Sequence, residues 1–292
     1  MSAHKSSAVA DEPVEVLFAL QPGFDLLDFS GAYEVFAEAL HEQDDPNSKA
    51  FECTIACAES QAVSKQGARI AAQITYKEAY ERLSDFDVVV VVGGDIDNIL
   101  KAKTEPMPLL RAYTEVQKRD SSRERTVLAV CTGAMFLAAQ GLLSGLAATM
   151  HPDHMTKFEH LCSYAAVCNN VERTEVMDDE RYVVNNLRFD IDDEDSSPYI
   201  HTKSEQSGRR GSHGRKGSMS FKGSNTRRES TVRRAAMRLG GMRVITTGGM
   251  SSGVDASLYL VSALVDEESA NAAAKAMAWN WQKGVVVDGL DV

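Results

Sequence analysis

The chain has 292 residues, and 43% of them are hydrophobic, which is enough to fill one large α/β domain or two small ones. No apolar run reaches the ~18 residues of a membrane span, and the amino-terminal segment lacks an apolar signal region. Five cysteines, an odd number without framework spacing, favour reduced thiols in a cytoplasmic protein.

The net charge of -11 is unevenly distributed along the chain. Residues 203–243 carry twelve Lys or Arg against two Glu, so the remainder of the chain is strongly acidic. An acidic body does not suit a nucleic-acid surface, and we expect no direct nucleic-acid binding.

The amino-terminal half alternates apolar runs with helical patterns. After an amino terminus predicted to be disordered (1–13), strands are predicted at Val14–Leu20, Phe51–Ala58 and Phe86–Gly94. A helix is predicted from Ser30 onward, between the first two strands. Five consecutive valines in the third strand are typical of a strand buried on both faces of a parallel sheet.

The second half continues the alternation. Strands are predicted at Thr126–Val130, Ala147–His151 and Arg243–Gly249, and a hairpin at Thr174–Asn186. Helices are predicted at Leu109–Lys118, Thr132–Gln140, Asp153–Cys162, Ser251–Val265 and Glu267–Gln282. The order of these elements predicts one doubly wound α/β domain spanning residues 14–292.

One segment, residues 188–241, interrupts this pattern. It opens with an acidic run and continues as a basic, Ser- and Gly-rich stretch with few large apolar residues, which predicts a disordered surface loop. Ser218 and Ser230 each follow basic residues, a pattern that suits a basophilic protein kinase. A solvated linker with chance serines is the alternative interpretation.

Cys131 stands between the predicted strand Thr126–Val130 and the helix that follows it. A nucleophile at such a junction lies at the carboxyl edge of a parallel sheet, where α/β proteins bind ligands. The amino end of a helix also stabilises a thiolate, so we expect an activated, accessible thiol. A buried structural cysteine is the alternative.

Four motifs give the chain a specific resemblance. "LDFSGAYEVF", "VVVVVGGD", "AVCTGAMFLAAQGLLSGLAATMHP" and "VITTGGMSSGVDASLYLV" occur in the order of the DJ-1/ThiJ/PfpI superfamily, which is related to class I glutamine amidotransferases. The first and last motifs look most like the isonitrile hydratase branch. The resemblance implies a flavodoxin-like three-layer sandwich with a mainly parallel central sheet, and covers the chain except the amino terminus and the loop.

The resemblance also implies roles for individual residues. Cys131 matches the family nucleophile, and Asp28 matches the carboxyl group that faces the thiol and acts as a general acid. The backbone N–H of Thr132, with those of Gly93 and Gly94, matches an oxyanion hole.

His151 falls where several branches of the superfamily carry a histidine beside the thiol, although it is equally interpreted as a strand-end histidine. Asp255 matches the aspartate of the last motif, and either contacts substrate or anchors its helix. We expect no cofactor and no metal, because the remaining His and Cys residues lack zinc-ligand spacing.

The predicted function is therefore hydration of an isonitrile, a small-molecule substrate, to an N-substituted formamide. A glyoxalase or deglycase acting on methylglyoxal is the enzymatic alternative; His151 favours it, and aspartate rather than glutamate at position 28 argues against it. Redox sensing, with oxidation of Cys131 to sulfinic acid, is the third possibility. The resemblance further implies a homodimer, and we expect no helix-turn-helix domain after the last predicted helix.

Overall fold

The computed structural model describes residues 12–187, 219–220 and 226–288. Its strands are β1 (Val14–Ala19), β2 (Phe51–Cys57), β3 (Gln61–Val63), β4 (Arg69–Ala71), β5 (Ile74–Thr75), β6 (Val88–Val91), β7 (Thr126–Ala129), β8 (Ala147–Ala148), β9 (Glu175–Val176), β10 (Tyr182–Asn186), β11 (Met219–Ser220), β12 (Arg243–Thr247) and β13 (Val285–Asp288). Its α-helices are α1 (Leu26–Glu38), α2 (Tyr76–Glu81), α3 (Asp97–Ala102), α4 (Met107–Arg119), α5 (Ala134–Ala139), α6 (Met155–Asn169), α7 (Thr226–Leu239), α8 (Met250–Leu264) and α9 (Glu267–Ala276). Two 3-10 turns, Cys131–Gly133 and Pro152–His154, precede α5 and α6.

The central sheet contains nine of the described strands, in the order β11-β13-β10-β12-β7-β6-β1-β2-β5. The strands from β12 to β5 are all parallel to their neighbours. β10 runs antiparallel to β12, and β13 and β11 follow the direction of β10. The predicted α/β class with a mainly parallel sheet is confirmed.

Apolar side chains cover both faces of this sheet. Val89 and Val91 of β6 belong to one hydrophobic cluster, which also includes residues of α4, α5, α6 and α7. Val88 and Val90 belong to a second cluster, which includes residues of α1, α8 and α9. Successive side chains of a strand point to opposite faces, so the valine run fills both layers, as predicted.

The predicted hairpin Thr174–Asn186 is wrong. β9 pairs with β8 in a separate two-stranded sheet, whereas β10 pairs with β12 and β13 in the central sheet. Both edges of β10 are therefore occupied, and β9 has no free edge there to join.

Part of the segment predicted to be a disordered loop is helical. Within 188–241 the structure describes α7, whose residues Val232, Ala235, Ala236 and Leu239 are buried against the first hydrophobic cluster. These residues recur at helical spacing, a signal masked by the five arginines of the same helix. The loop prediction is wrong over this helix.

The two candidate phosphorylation sites differ in placement. Ser230 lies in the first half of α7, and Ser218 lies outside the described residues. Residues 1–11 of the amino terminus predicted to be disordered lie outside the described part of the chain. The same holds for residues 188–218 and 221–225 of the predicted loop.

Among the helices that the structure describes, none is both long and apolar enough to cross a membrane.

Substitution of Leu239 by Ala tests whether α7 belongs to the core. Leu239 is 1% exposed, and its truncation should reduce the free energy of unfolding by about 2 kcal/mol, because the buried methyl groups leave a cavity. Met237 on the same helix is 57% exposed, so Met237→Ala should change the free energy by less than ~0.5 kcal/mol. Urea denaturation measures both, and equal values for the two variants would contradict this packing.

Candidate active site

Cys131 occupies a sharp turn at the carboxyl end of β7. Its φ angle is +56°, in the left-handed region that non-glycine residues rarely adopt. Its backbone N–H donates a hydrogen bond to Thr247 Oγ1 at 3.2 Å, which ties the turn to the end of β12. Such backbone strain, held by surrounding structure, is characteristic of functional positions. The strand-to-helix placement predicted for Cys131 is thus the observed one.

Asp28 faces this cysteine from the first turn of α1. It is fully buried, and its Oδ2 accepts a hydrogen bond from the backbone N–H of Gly93 at 2.9 Å. It also lies close enough to the Cys131 thiol for each group to affect the pKa of the other. Oδ1 has no hydrogen-bond partner among the described residues, so this oxygen is available to a ligand or proton. The structure therefore brings Asp28 and Cys131 together, as predicted.

Burial controls the protonation of Asp28. Loss of solvation raises the pKa of this carboxyl group to about 7, and the negative charge of Asp25 adds to the effect. The hydrogen bond from the N–H of Gly93 and the interaction with Cys131 lower the pKa of Asp28, but by less than burial raises it. A carboxyl group with a pKa near neutrality is well suited to accept and deliver a proton.

The thiol of Cys131 differs from the sequence-based expectation. The residue is only 2% exposed, and burial together with the charge of Asp28 raises the pKa of the thiol well above its ordinary value. α5 has only six residues and starts after a 3-10 turn, so its end contributes little stabilisation to a thiolate. This conformation differs from the predicted ionised, accessible thiol: the residue is covered, and its burial favours the protonated form.

The amides predicted to form an oxyanion hole already have partners. The N–H of Gly93 is bonded to Asp28, and the N–H of Gly94 donates to Thr132 Oγ1 at 3.0 Å. The N–H of Thr132 lowers the pKa of the Cys131 thiol, against the larger effect of burial. In this arrangement Gly93 and Gly94 hold Asp28 and Thr132 in place, and the oxyanion-hole role of the three amides stays a prediction.

Glycine is required at both positions of the Gly93-Gly94 pair. A Cβ atom on Gly93 would lie 2.5 Å from Thr132 Oγ1 and 2.8 Å from Asp28 Oδ2. Gly94 has a φ of +131°, and a Cβ there would lie 2.1 Å from the carbonyl oxygen of Gly23. Both glycines are needed because the loops that carry Gly23, the glycine pair and Thr132 pack closely together beside Asp28.

His151 is not brought to the thiol by any described contact. Its Nδ1 accepts a hydrogen bond from the N–H of Asp153 at 3.2 Å and so caps the 3-10 turn that follows. Its ring lies 5.8 Å from that of His154, centroid to centroid. β8 ends at Ala148, so His151 stands at the start of this 3-10 turn rather than at a strand end, and its catalytic role stays a prediction.

Asp255 is a structural anchor. Its carboxylate is fully buried; Oδ2 accepts two hydrogen bonds from the guanidinium of Arg181, and Oδ1 accepts from Trp279 Nε1 at 2.8 Å and from Gln282 N at 2.9 Å. Four donors occupy both oxygens, which argues against a substrate contact. The anchoring alternative is the one observed, and Arg181 is a partner that the sequence did not reveal.

Two further residues near the site were missed. Asp25 lies three positions before Asp28 and raises the pKa of both Asp28 and Cys131 through its charge. Gln66 contacts Asp25 from a hairpin 41 residues away, at 2.8 Å. The closeness of Asp25 to Asp28 in the sequence could have identified Asp25, whereas no sequence signal marks Gln66.

In the described part of the chain, no group of three or more His, Cys, Asp or Glu is placed to hold a metal ion.

The chain is similar to proteins of known family and fold. The family model described as "DJ-1/PfpI family" matches residues 14–186, more than half of the chain. A protein of Streptomyces lividans, described as an uncharacterized protein in the cpoL 5' region, is 34% identical over 152 residues, covering 51% of this chain and 96% of that protein. The crystal structure of Drosophila melanogaster DJ-1beta is similar with a TM-score of 0.54 and 16% identity, covering 92% of this chain and 100% of that one. An AraC family transcriptional regulator from Pseudomonas putida is similar with a TM-score of 0.53 and 15% identity, covering 91% and 100%.

Proposed function

The chain belongs to the DJ-1/PfpI family, and from this premise we propose that it is a cysteine-dependent enzyme that hydrates isonitriles to N-substituted formamides. The observation that carries the proposal is the buried pair of Cys131 and Asp28, two neighbouring groups that affect each other's pKa, with the pKa of Asp28 raised to about 7. Such a pair combines a nucleophile with a group that accepts and returns protons near neutral pH.

The first chemical step joins the sulfur to the substrate. Cys131 Sγ attacks the terminal carbon of the isonitrile, and its proton passes to the Asp28 carboxylate. Asp28 then delivers a proton to the same carbon, so that a C–S bond and a C–H bond form and a thioimidate results. Asp28 Oδ1, which has no partner among the described residues, is the oxygen free to carry this proton.

The second step regenerates the enzyme. Water adds to the thioimidate carbon with Asp28 as the base, and Asp28 passes the proton it receives to the nitrogen, so that a C–O bond and an N–H bond form. The C–S bond then breaks as the carbonyl of the formamide forms, and the remaining hydroxyl proton returns to the sulfur. The sum of the two steps is one isonitrile plus one water giving one N-substituted formamide. No redox change occurs at any step.

The small exposure of Cys131 supports this choice of substrate. An isonitrile presents its reacting carbon at the end of a linear, two-atom group, which needs less space at the sulfur than the planar dicarbonyl unit of methylglyoxal. With only 2% of the residue exposed, the site favours the narrower group. The expected homodimer and cytoplasmic location stay predictions.

Turnover of an alkyl isonitrile tests the proposal. Wild type should form the formamide, and Cys131→Ser should lose at least about a thousandfold in rate, because a serine hydroxyl is a far weaker nucleophile in this environment. Cys168→Ser is the matched control, since that cysteine is exposed on α6 and its variant should retain the rate. NMR detection of the formamide measures all three.

Parallel assays distinguish the alternatives. Methylglyoxal turnover without isonitrile turnover would establish the glyoxalase or deglycase activity. Neither activity, combined with conversion of Cys131 to sulfinic acid at low peroxide concentration, would establish redox sensing. Equal isonitrile rates for wild type and Cys131→Ser would eliminate Cys131 as the nucleophile.

A further inference from the structure

The β3–β4 hairpin lies against the loop that leads into α1. The backbone N–H of Gly23 donates to the carbonyl of Val63 at 2.8 Å, and the N–H of Lys65 donates to the carbonyl of Phe24 at 2.9 Å. The tip of the hairpin is therefore hydrogen-bonded to the two residues that precede Asp25. A displacement of this tip moves the start of α1.

Gln66, at the tip, binds the first turn of α1 through both ends of its side-chain amide. Its Oε1 accepts a hydrogen bond from the N–H of Leu26 at 3.0 Å, and its Nε2 donates to Asp25 Oδ1 at 2.8 Å. Asp25 stands at the N-cap position, yet its own side chain caps no N–H of the helix. Gln66 thus satisfies one of the N–H groups at the start of α1 that have no acceptor within the helix.

Asp25 is connected directly to the candidate site. Its N–H donates to the carbonyl of Gly93 at 3.0 Å, and the N–H of Gly93 in turn holds Asp28 Oδ2. Asp25 is only 7% exposed, and in the part of the chain that the structure describes, Gln66 is the side chain bonded to its carboxylate. The other charged groups at this loop, Lys65 and Asp95, pair with each other at 3.8 Å and are exposed.

We propose that Gln66 is a positioning residue of the Cys131 site, whose amide holds Asp25 and the first turn of α1 so that Asp28 stays between Gly93 and the thiol. The catalytic meaning of this role rests on the proposed function, because it assumes that Cys131 and Asp28 react together. The geometric role itself is measurable at the thiol without any substrate.

Gln66→Ala should uncover Cys131 selectively. Loss of the two hydrogen bonds frees the first turn of α1 and loosens Asp28, so iodoacetamide should label Cys131 about fivefold faster. Peptide mass spectrometry resolves each cysteine, and labelling of the buried Cys57 and Cys162 should not change. Lys65→Ala, at the adjacent exposed position, is the matched control and should label like wild type.

A double variant that reverses the direction of the hydrogen bond between residues 25 and 66 tests whether Gln66 acts by positioning Asp25 or only by packing. In the double variant Asp25→Asn with Gln66→Glu, the new carboxylate accepts from the N–H of Leu26 and from the new amide at position 25. The contact between positions 25 and 66 re-forms with donor and acceptor exchanged, and the contact to the N–H of Leu26 keeps its direction, so the Cys131 labelling rate should return to within about twofold of wild type.

Three results would overturn the proposal: equal Cys131 labelling in Gln66→Ala and Lys65→Ala, acceleration of Cys57 and Cys162 together with Cys131, or no recovery in the double variant. All of these are read from labelling, which needs no turnover. If no isonitrile is converted while selective labelling and its recovery are observed, the proposed function fails and the positioning role stands.

Discussion

Substitution of Asp28 by Asn should abolish most of the activity and at the same time make the protein more stable at alkaline pH. The activity loss should be about a hundredfold or more, because an amide carries no proton between thiol and substrate. The amide oxygen of Asn accepts the N–H of Gly93 as the carboxylate does, so the local geometry is retained.

The sign of the stability change follows from the raised pKa of Asp28. The folded protein keeps the carboxyl group protonated up to about pH 7, whereas the unfolded chain loses this proton near pH 3.8. The unfolded state therefore binds fewer protons in this window, and stability falls as the pH rises from about 4 to 7, then remains at its lower level. At ~1.4 kcal/mol per pKa unit, the penalty approaches about 4 kcal/mol as an upper limit.

Asp28→Asn removes this penalty. The free energy of unfolding, measured with urea, should exceed that of wild type by a few kcal/mol at pH 8 and by much less at pH 4. The variant should also shift the pH profile of Cys131 alkylation to lower pH, because the charge of Asp28 is one cause of the raised pKa of the thiol. Asp95→Asn, at an exposed carboxylate of the next loop, is the control and should change neither quantity. A pH-independent stability difference would contradict the raised pKa of Asp28.

The sequence was sufficient for the parallel strands β1, β2, β6, β7 and β12 of the sheet and for the central pair of the site, whereas β5, β11 and β13 were not predicted. The valine run of β6 encodes burial on both faces, and Cys131 follows β7 directly, so its position at the sheet edge follows from parallel topology. Asp28 was recognised through its motif, and the structure places it against the thiol. Local patterns thus determine which residues reach the carboxyl edge.

The protonation of the thiol depends on information that the local pattern does not carry. The amino end of a helix favours a thiolate, but burial and the neighbouring carboxyl group outweigh it, and both arise from tertiary packing. The same is true of Gly93 and Gly94, whose amides are free in an isolated turn and are used by Asp28 and Thr132 in the folded chain. Contacts between segments that are distant in the sequence determine the pKa of the thiol and the partners of these two amides.

Substitution of Asp255, the aspartate of the last motif, should also have a large effect, in this case on stability. Its two oxygens hold Arg181 of the segment before β10 and Trp279 and Gln282 of the segment before β13. The peptide carbonyl of the same residue accepts from Trp281 Nε1 at 3.1 Å. One residue of α8 therefore fixes the chain at the points where two neighbouring strands of the sheet begin.

Asp255→Ala should reduce the free energy of unfolding by about 3–5 kcal/mol, because it leaves a half-buried guanidinium and two further donors without their acceptor. Asp266→Ala is the matched control: Asp266 caps α9 through the N–H of Ser269 at 2.7 Å, and loss of a single cap should cost about 1 kcal/mol. Urea denaturation gives both values, and hydrogen exchange should show β13 opening first in Asp255→Ala. If Asp255 contacts substrate instead, its variants will lose turnover at nearly unchanged stability, and the anchoring role will be refuted.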